Sequence, residues 1–270
     1  MGQIYKMENE AIYRLSIFIG LFLIMAFAEH LMPRRALRAK KPSRWFTNWA
    51  IIIFDSLTLR MLAIAIPTLA IGAAWDASTR GYGLFNQTDW PLWIEFTLAF
   101  LILDFLIWAQ HLTTHKIPFL WRLHRVHHAD TDMDVTTAIR FHPIEIALSM
   151  LLKIGAVYVI GPAAIIVLIF EIFVNGCAMF NHANLNIPKN IDAFLRLLLV
   201  TPDMHRVHHS DKRSEHDSNY GFCISLWDRL FKTYIAQPMK GHNNMTIGLQ
   251  WQDEQPTKLS WSLALPFFRK

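Results

Sequence analysis

Residues 144–180 form an apolar run broken near its middle by Gly161-Pro162. The run is too long for one helix across a hydrocarbon core of about 30 Å, and proline cannot continue a helix interior without losing a hydrogen bond. The pattern predicts two helices, 144–160 and 163–180, folded into a hairpin. Lys153 lies eight residues before Gly161 and Glu171 nine after Pro162. Antiparallel packing sets this cation and anion at similar depth, where an unpaired charge in lipid costs several kcal/mol, so an ion pair between them is predicted.

Three more apolar stretches precede the hairpin: residues 11–28, Trp49 to Trp75 and Trp90 to His111. Arg34, Arg35, Arg38, Lys40, Lys41 and Arg44 follow the first stretch directly, a juxtamembrane pattern that places residues 33–45 on the cytosolic side. Ala26-Phe27-Ala28 imitates a signal-peptide cleavage site, but cleavage there would send six basic residues across the membrane. Trp45, Trp49, Trp75, Trp90, Trp93 and Trp108 are read as markers of the two interfaces, and residues 76–89, with Arg80 as the one basic residue, as an outer loop.

The fold expected is all-α and integral to the membrane. It has four transmembrane helices and a cytosolic helical cap built from residues 111–143 and 181–270. The chain divides into N-terminal spans and basic loop (1–90), a catalytic region (91–235) and a tail (236–270). With 53% hydrophobic residues and mean hydropathy +0.24, disorder is excluded. Two cysteines exclude a disulfide framework or a Cys-rich zinc module, and Cys177 and Cys223 are read as packing residues. The net charge of +5 is concentrated beside a span instead of on a folded face, which argues against a nucleic-acid partner.

Eight of the 13 histidines fall in two windows, His111 and His115 in HLTTH, His124, His127 and His128 in HRVHH, and His205, His208 and His209 in a second HRVHH. The spacings i, i+4 and i, i+3, i+4 set the imidazoles of each motif on one helix face. Such a face can converge neutral nitrogens on Fe, Zn, Cu or Ni. Pro118 and Thr201-Pro202 read as helix starts just upstream, with Thr201 a candidate N-cap. Eight ligands exceed one tetrahedral zinc, so two metals with about four histidines each are expected.

The ordered set HLTTH, HRVHH, HRVHH resembles the fatty acid hydroxylase superfamily, also called the sterol desaturase family. Arg140-Phe141-His142-Pro143-Ile144-Glu145, Phe180-Asn181-His182, Asn219-Tyr220-Gly221 and Leu226-Trp227-Asp228-Arg229-Leu230-Phe231 strengthen the resemblance, which covers roughly residues 100–235. It implies an integral membrane oxygenase that uses two histidine-bound Fe ions, O2 as co-substrate and external electrons to hydroxylate or desaturate a lipid C–H bond. Zinc can replace iron in a purified form. The resemblance implies metal ligation by the eight motif histidines and adds His142 and His182. His216 departs from the pattern, and His30 and His242 are left out of the ligand set.

Asp104 lies seven residues before His111, two turns back on about the same helix face. It is a candidate to accept a hydrogen bond from a ligand imidazole, with pairing to Arg60 the plainer role. Asp132, Asp134 and Asp217 follow the triplets closely, where most loop acids are merely solvated, and no role is assigned to them. In residues 222–234, Phe222, Leu226, Leu230 and Phe231 form an apolar face and Asp228, Arg229 and Lys232 a polar one, as in an amphipathic helix over the site. No GxGxxG, P-loop, CxxCH or iron–sulfur cysteine run is present, so electrons come from another protein, of ferredoxin or cytochrome b5 type. Two rivals are a zinc-dependent membrane hydrolase, which lacks its HExxH base, and a metal transporter, which would hold ligands near the bilayer midplane. The expected location is a bacterial inner membrane or the endoplasmic reticulum, with the site on the cytosolic face. Neither the lipid nor the oligomeric state is read from the sequence.

Overall fold

The computed structural model describes residues 10–65, 69–251 and 255–268, and the regular structure among them is helical. Long apolar segments give α1 (Glu10–Leu31), α2 (Lys41–Ala65), α3 (Leu69–Arg80) and α4 (Leu92–Lys116). Then come α5 (Pro118–His128), α6 (Pro143–Ile160) and α7 (Ala164–His182). Shorter helices follow: α8 (Lys189–Leu195), α9 (Pro202–His208), α10 (Arg213–His216) and α11 (Leu226–Leu230). Among the described residues five segments are long and apolar enough to cross a membrane, against the four crossings expected. The difference lies in the hairpin, whose arms of 18 and 19 residues are each a membrane-spanning length. The stretch from Trp49 to Trp75 spans residues 66–68, which lie outside the described ones, and consists of α2 and α3 on either side of them.

Gly161 ends α6 in the left-handed conformation (φ 70°) and packs against Gly83 in the loop after α3. A Cβ on Gly83 would collide with the Gly161 backbone, so the two turns meet only because both are glycine. At the other end of the bundle, Pro33 bridges to Leu185 and Arg34 N–H donates to the Asn184 carbonyl. The bundle therefore sorts its connections: the turns after α3 and α6 share one end, and the ends of α1 and α7 share the opposite one.

Lys153 and Glu171 pair across the hairpin at 2.7 Å, as the register requires, and Arg14 of α1 joins Glu171 at 2.9 Å. One carboxylate thus ties three helices together. Trp75, Trp90 and Trp93 are exposed, as interface residues should be, whereas Trp108 is buried and its indole N–H donates to Asp228. Asp132 and Asp134, to which the sequence assigned no role, are buried as well. With Asp130 they surround the buried Arg44, which contacts Asp130 at 2.6 Å and Asp134 at 2.7 Å. Burial alone would raise the Asp130 carboxyl, but the Arg44 charge and hydrogen bonds outweigh it and hold the group at about 2.

Candidate metal centre

Pro118 starts α5 and Thr201 caps α9 by accepting from Met204 N–H, so both HRVHH motifs are helical as read. α4 continues past His111 to Lys116, which puts His111 and His115 one turn apart on a single rigid element. His182 is the last residue of α7. These ends converge, and nine histidines fall into two sets whose ligating nitrogens lie within 4.8 Å of one another. One set is His111, His115, His124, His128 and His208; the other is His127, His182, His205 and His209.

The triplets do not each serve one metal. In both, the i and i+4 histidines enter one set and the i+3 histidine crosses to the other: His124 and His128 against His127, His205 and His209 against His208. The i and i+4 residues lie about 40° apart around the helix axis, while i+3 falls about 60° to the other side of i, roughly 100° from i+4, and reaches the neighbouring set. Two equal pentapeptides facing each other thereby exchange one ligand each.

Acceptors outside the cluster fix the tautomers. Nδ1–H of His111 donates to Tyr220 O at 2.7 Å, that of His124 to Glu145 Oε1 at 2.6 Å and that of His127 to Arg140 O at 3.2 Å. His182 donates to Ala178 O and His208 to Ser218 O, both at 2.7 Å. Every one of these partners accepts only, so the Nε2 atoms carry the lone pairs and point inward. His111 and His124 then face each other Nε2 to Nε2 at 3.1 Å, and His127 and His182 at 3.0 Å. Two lone pairs at such separations repel, and a cation between them removes the repulsion. Both ring nitrogens of His115 and of His209 are buried without a hydrogen-bond partner. A transition metal about 2.1 Å from each nitrogen holds its donors roughly 3 to 4 Å apart, so the donor set fits a pair of such ions. His127, His128, His205, His208 and His209 are pushed well below the usual imidazole range by burial first and by neighbouring imidazoles second, which keeps them neutral, as ligands must be.

His182 joins the second set, whereas His142 stands apart from both. His142 is the N-cap of α6, its Nδ1 accepting from Ile144 N–H and its Nε2 approaching Leu263 O, both at 3.2 Å, and it belongs to neither set. Asp104 also turns away from the cluster. It accepts from Trp227 Nε1 at 2.8 Å and Ile224 N at 3.3 Å, and so anchors the 224–227 turn instead of an imidazole or Arg60. His216 stacks on Trp121 at 5.2 Å and, with His115 and Asp217, forms a third, smaller grouping at the edge.

Two residues with no role assigned from sequence emerge here. Glu145 orients His124, and the motif that contains it was the available signal. Asp228 was placed on a polar outer face, yet it is fully buried and accepts from Trp108, Tyr220 N–H and Gly221 N–H, which fixes the turn whose Tyr220 carbonyl holds His111. The segment 222–234 is accordingly not one amphipathic helix but the five-residue α11, with Leu226, Leu230 and Phe231 exposed.

The fold and site together define a helical protein with membrane-length helices that gathers two sets of buried histidines, able to hold metal, at one end of its bundle. A family model described as fatty acid hydroxylase matches residues 96–233, just over half of the 270 residues, and the chain belongs to that family. Ornithine lipid hydroxylase OlsE of Rhizobium tropici is 25% identical over 257 residues, covering 94% of this chain and 75% of that protein. The alkylglycerol monooxygenase of Homo sapiens is 29% identical over 166 residues, 60% of this chain and 35% of that protein. That of Caenorhabditis elegans is 31% identical over 136 residues, 50% of this chain and 26% of that protein. The matched region is thus about a third or less of the alkylglycerol monooxygenases. No solved structure matches the chain.

Proposed function

We propose that this chain is a membrane lipid monooxygenase in which two Fe ions, held by the five-histidine and four-histidine sets, use O2 and external electrons to hydroxylate an alkyl position of a lipid. The single observation that carries the reading is the pair of interleaved imidazole sets with their Nδ1 hydrogens tied outward. When bound, the metals supply activation of O2 for insertion into a C–H bond. Hydroxylation is favoured over desaturation because relatives of this chain are named hydroxylase and monooxygenase. An aminolipid or an ether lipid is the substrate class that those names suggest.

The protein's own part is to hold the ligands, exclude water and admit an alkyl chain. Phe141 stacks on His127 at 4.3 Å and closes one wall. Phe222 lies 5.2 Å from His111, 6.0 Å from His205 and 6.5 Å from His182, over both sets. It also packs into the apolar cluster of Phe22, Ala178 and Met179 on α1 and α7. An alkyl chain arriving between these helices would therefore meet the centre at Phe222. Apolar walls there keep water from the reacting position. In the membrane, the histidine end of the bundle faces the cytosol, because the basic segment 33–45 lies at that end.

Metal analysis of protein purified from iron-supplemented cells is expected to find two ions per chain, and one or none overturns the di-metal assignment. Lipid profiles of cells with and without the gene are then expected to differ by one hydroxylated species.

A further inference from the structure

The reaction proposed above consumes electrons that must cross from the surface to buried ligands, and the structure offers one short way in. The imidazole of His115, in the first set, is itself buried, so a path from solvent has to pass through a neighbouring side chain. Beside His115 stands Trp121, half-buried on α5. Its ring lies 4.9 Å from His115, 5.3 Å from His128 and 6.3 Å from His124, and stacks on His216 at 5.2 Å with the planes 20° apart. Trp121 and the half-buried His216 thus put one continuous aromatic contact between solvent and three ligands of the first set. Electron transfer weakens steeply with distance, and a partner seated on this contact stands one ring away from the first set.

The charges around that face have a sign. Lys116 (side chain 47% exposed) and Arg213 (79%) flank it, with Lys212 and Arg122 half-buried beside them. The acids there are Asp211 and Asp217, and Asp217 is already held by Lys116 at 2.8 Å and by Arg213 at 3.4 Å, with His115 Nδ1 3.6 Å away. A cationic rim around a half-buried aromatic pair suits an anionic partner that docks briefly and leaves.

We propose that the Trp121–His216 face, rimmed by Lys116, Arg122, Lys212 and Arg213, is the docking and electron-entry surface for a small acidic redox protein. This rests on the oxygenase reading. Each encounter passes one electron from the reduced partner, which leaves oxidised. Two encounters and two protons from solvent balance the insertion of one oxygen atom of O2 into the C–H bond and the release of the other as water.

The test uses the full-length iron-loaded protein and, as probe, a reduced acidic [2Fe–2S] ferredoxin. Lys212→Glu with Arg213→Glu is expected to weaken ferredoxin binding by about tenfold or more at low ionic strength, and the difference is expected to vanish near 0.5 M salt. Reduction by dithionite and metal content should not move. Trp121→Leu is expected to slow electron transfer at saturating ferredoxin, where any change in binding no longer limits the rate, and Trp121→Phe to restore most of it. Unchanged ferredoxin binding in the charge-reversed protein overturns the docking surface, and an unchanged transfer rate in Trp121→Leu overturns the entry route. A wild-type protein that holds no iron would instead sink the oxygenase reading, and binding of ferredoxin to that same preparation still decides the docking surface.

Discussion

Glu145 is, among the described residues, the carboxylate that hydrogen-bonds a cluster imidazole, and it does so on the five-histidine side alone. A carboxylate behind an imidazole raises its basicity and fixes its ring, and loss of such a partner typically costs 10- to 100-fold in metal affinity. Glu145→Gln is therefore expected to weaken one of two metal-binding steps by about that factor and leave the other unchanged, as resolved by competition with a chelator. A companion pair separates ligand from cap: His182→Ala should lose about one metal per chain, and His142→Ala should keep both while lowering the melting temperature through loss of the α6 cap. The histidines were legible in sequence because spacing alone sets a shared helix face. The Asp104–Trp227 and Asp228–Trp108 bonds were not, because each joins residues more than a hundred positions apart. Seven residues back along α4 is the right face but about 10 Å below the ligands, level with the 224–227 turn.

At the scale of elements, the glutamate shared by three helices has an unusual energetic signature. Lys153→Met leaves Glu171 paired with Arg14, and Arg14→Met leaves it paired with Lys153, so each single change is expected to cost little. The double variant strands a buried carboxylate, and an unpaired buried charge costs about 3 to 5 kcal/mol. Thermal unfolding in detergent should show the double change exceeding the sum of the singles by about 1 to 3 kcal/mol. Adding Glu171→Gln to the double should recover part of the loss. The hairpin and its ion pair could be read from sequence because Gly161-Pro162 fixes the register. Arg14 could not, since nothing in a sequence sets the rotation of α1 about its axis. The shortness of α11 escaped for a related reason. Hydropathy marks apolar length, whereas Asp228 and its hydrogen bonds decide where the last turn stops.

For the molecule as a whole, the sorted ends of the bundle turn orientation into a measurable quantity. The Gly83–Gly161 contact gathers the turns after α3 and α6 at one end. The Arg34–Asn184 hydrogen bond gathers the end of α1, the basic segment and the histidine-bearing ends of α4 and α7 at the other. If all five membrane-length segments cross, every connection at the histidine end shares one compartment, and the positive charge next to α1 predicts that this compartment is the cytosol. Reading four crossings had left this parity implicit, because the hairpin was counted as a single region. With Cys177 and Cys223 replaced by alanine, single cysteines can report each end from exposed positions: Asp89→Cys in the loop before α4, Lys40→Cys in the basic segment, and Met239→Cys, whose native side chain is 77% exposed. A membrane-impermeant maleimide is expected to label Asp89→Cys in intact cells, and Lys40→Cys and Met239→Cys only after permeabilisation. Labelling of Met239→Cys in intact cells would place the metal centre outside. An electron donor in the cytosol could then not reach the Trp121 face, so the cytosolic site and its supply of electrons stand or fall on the same measurement.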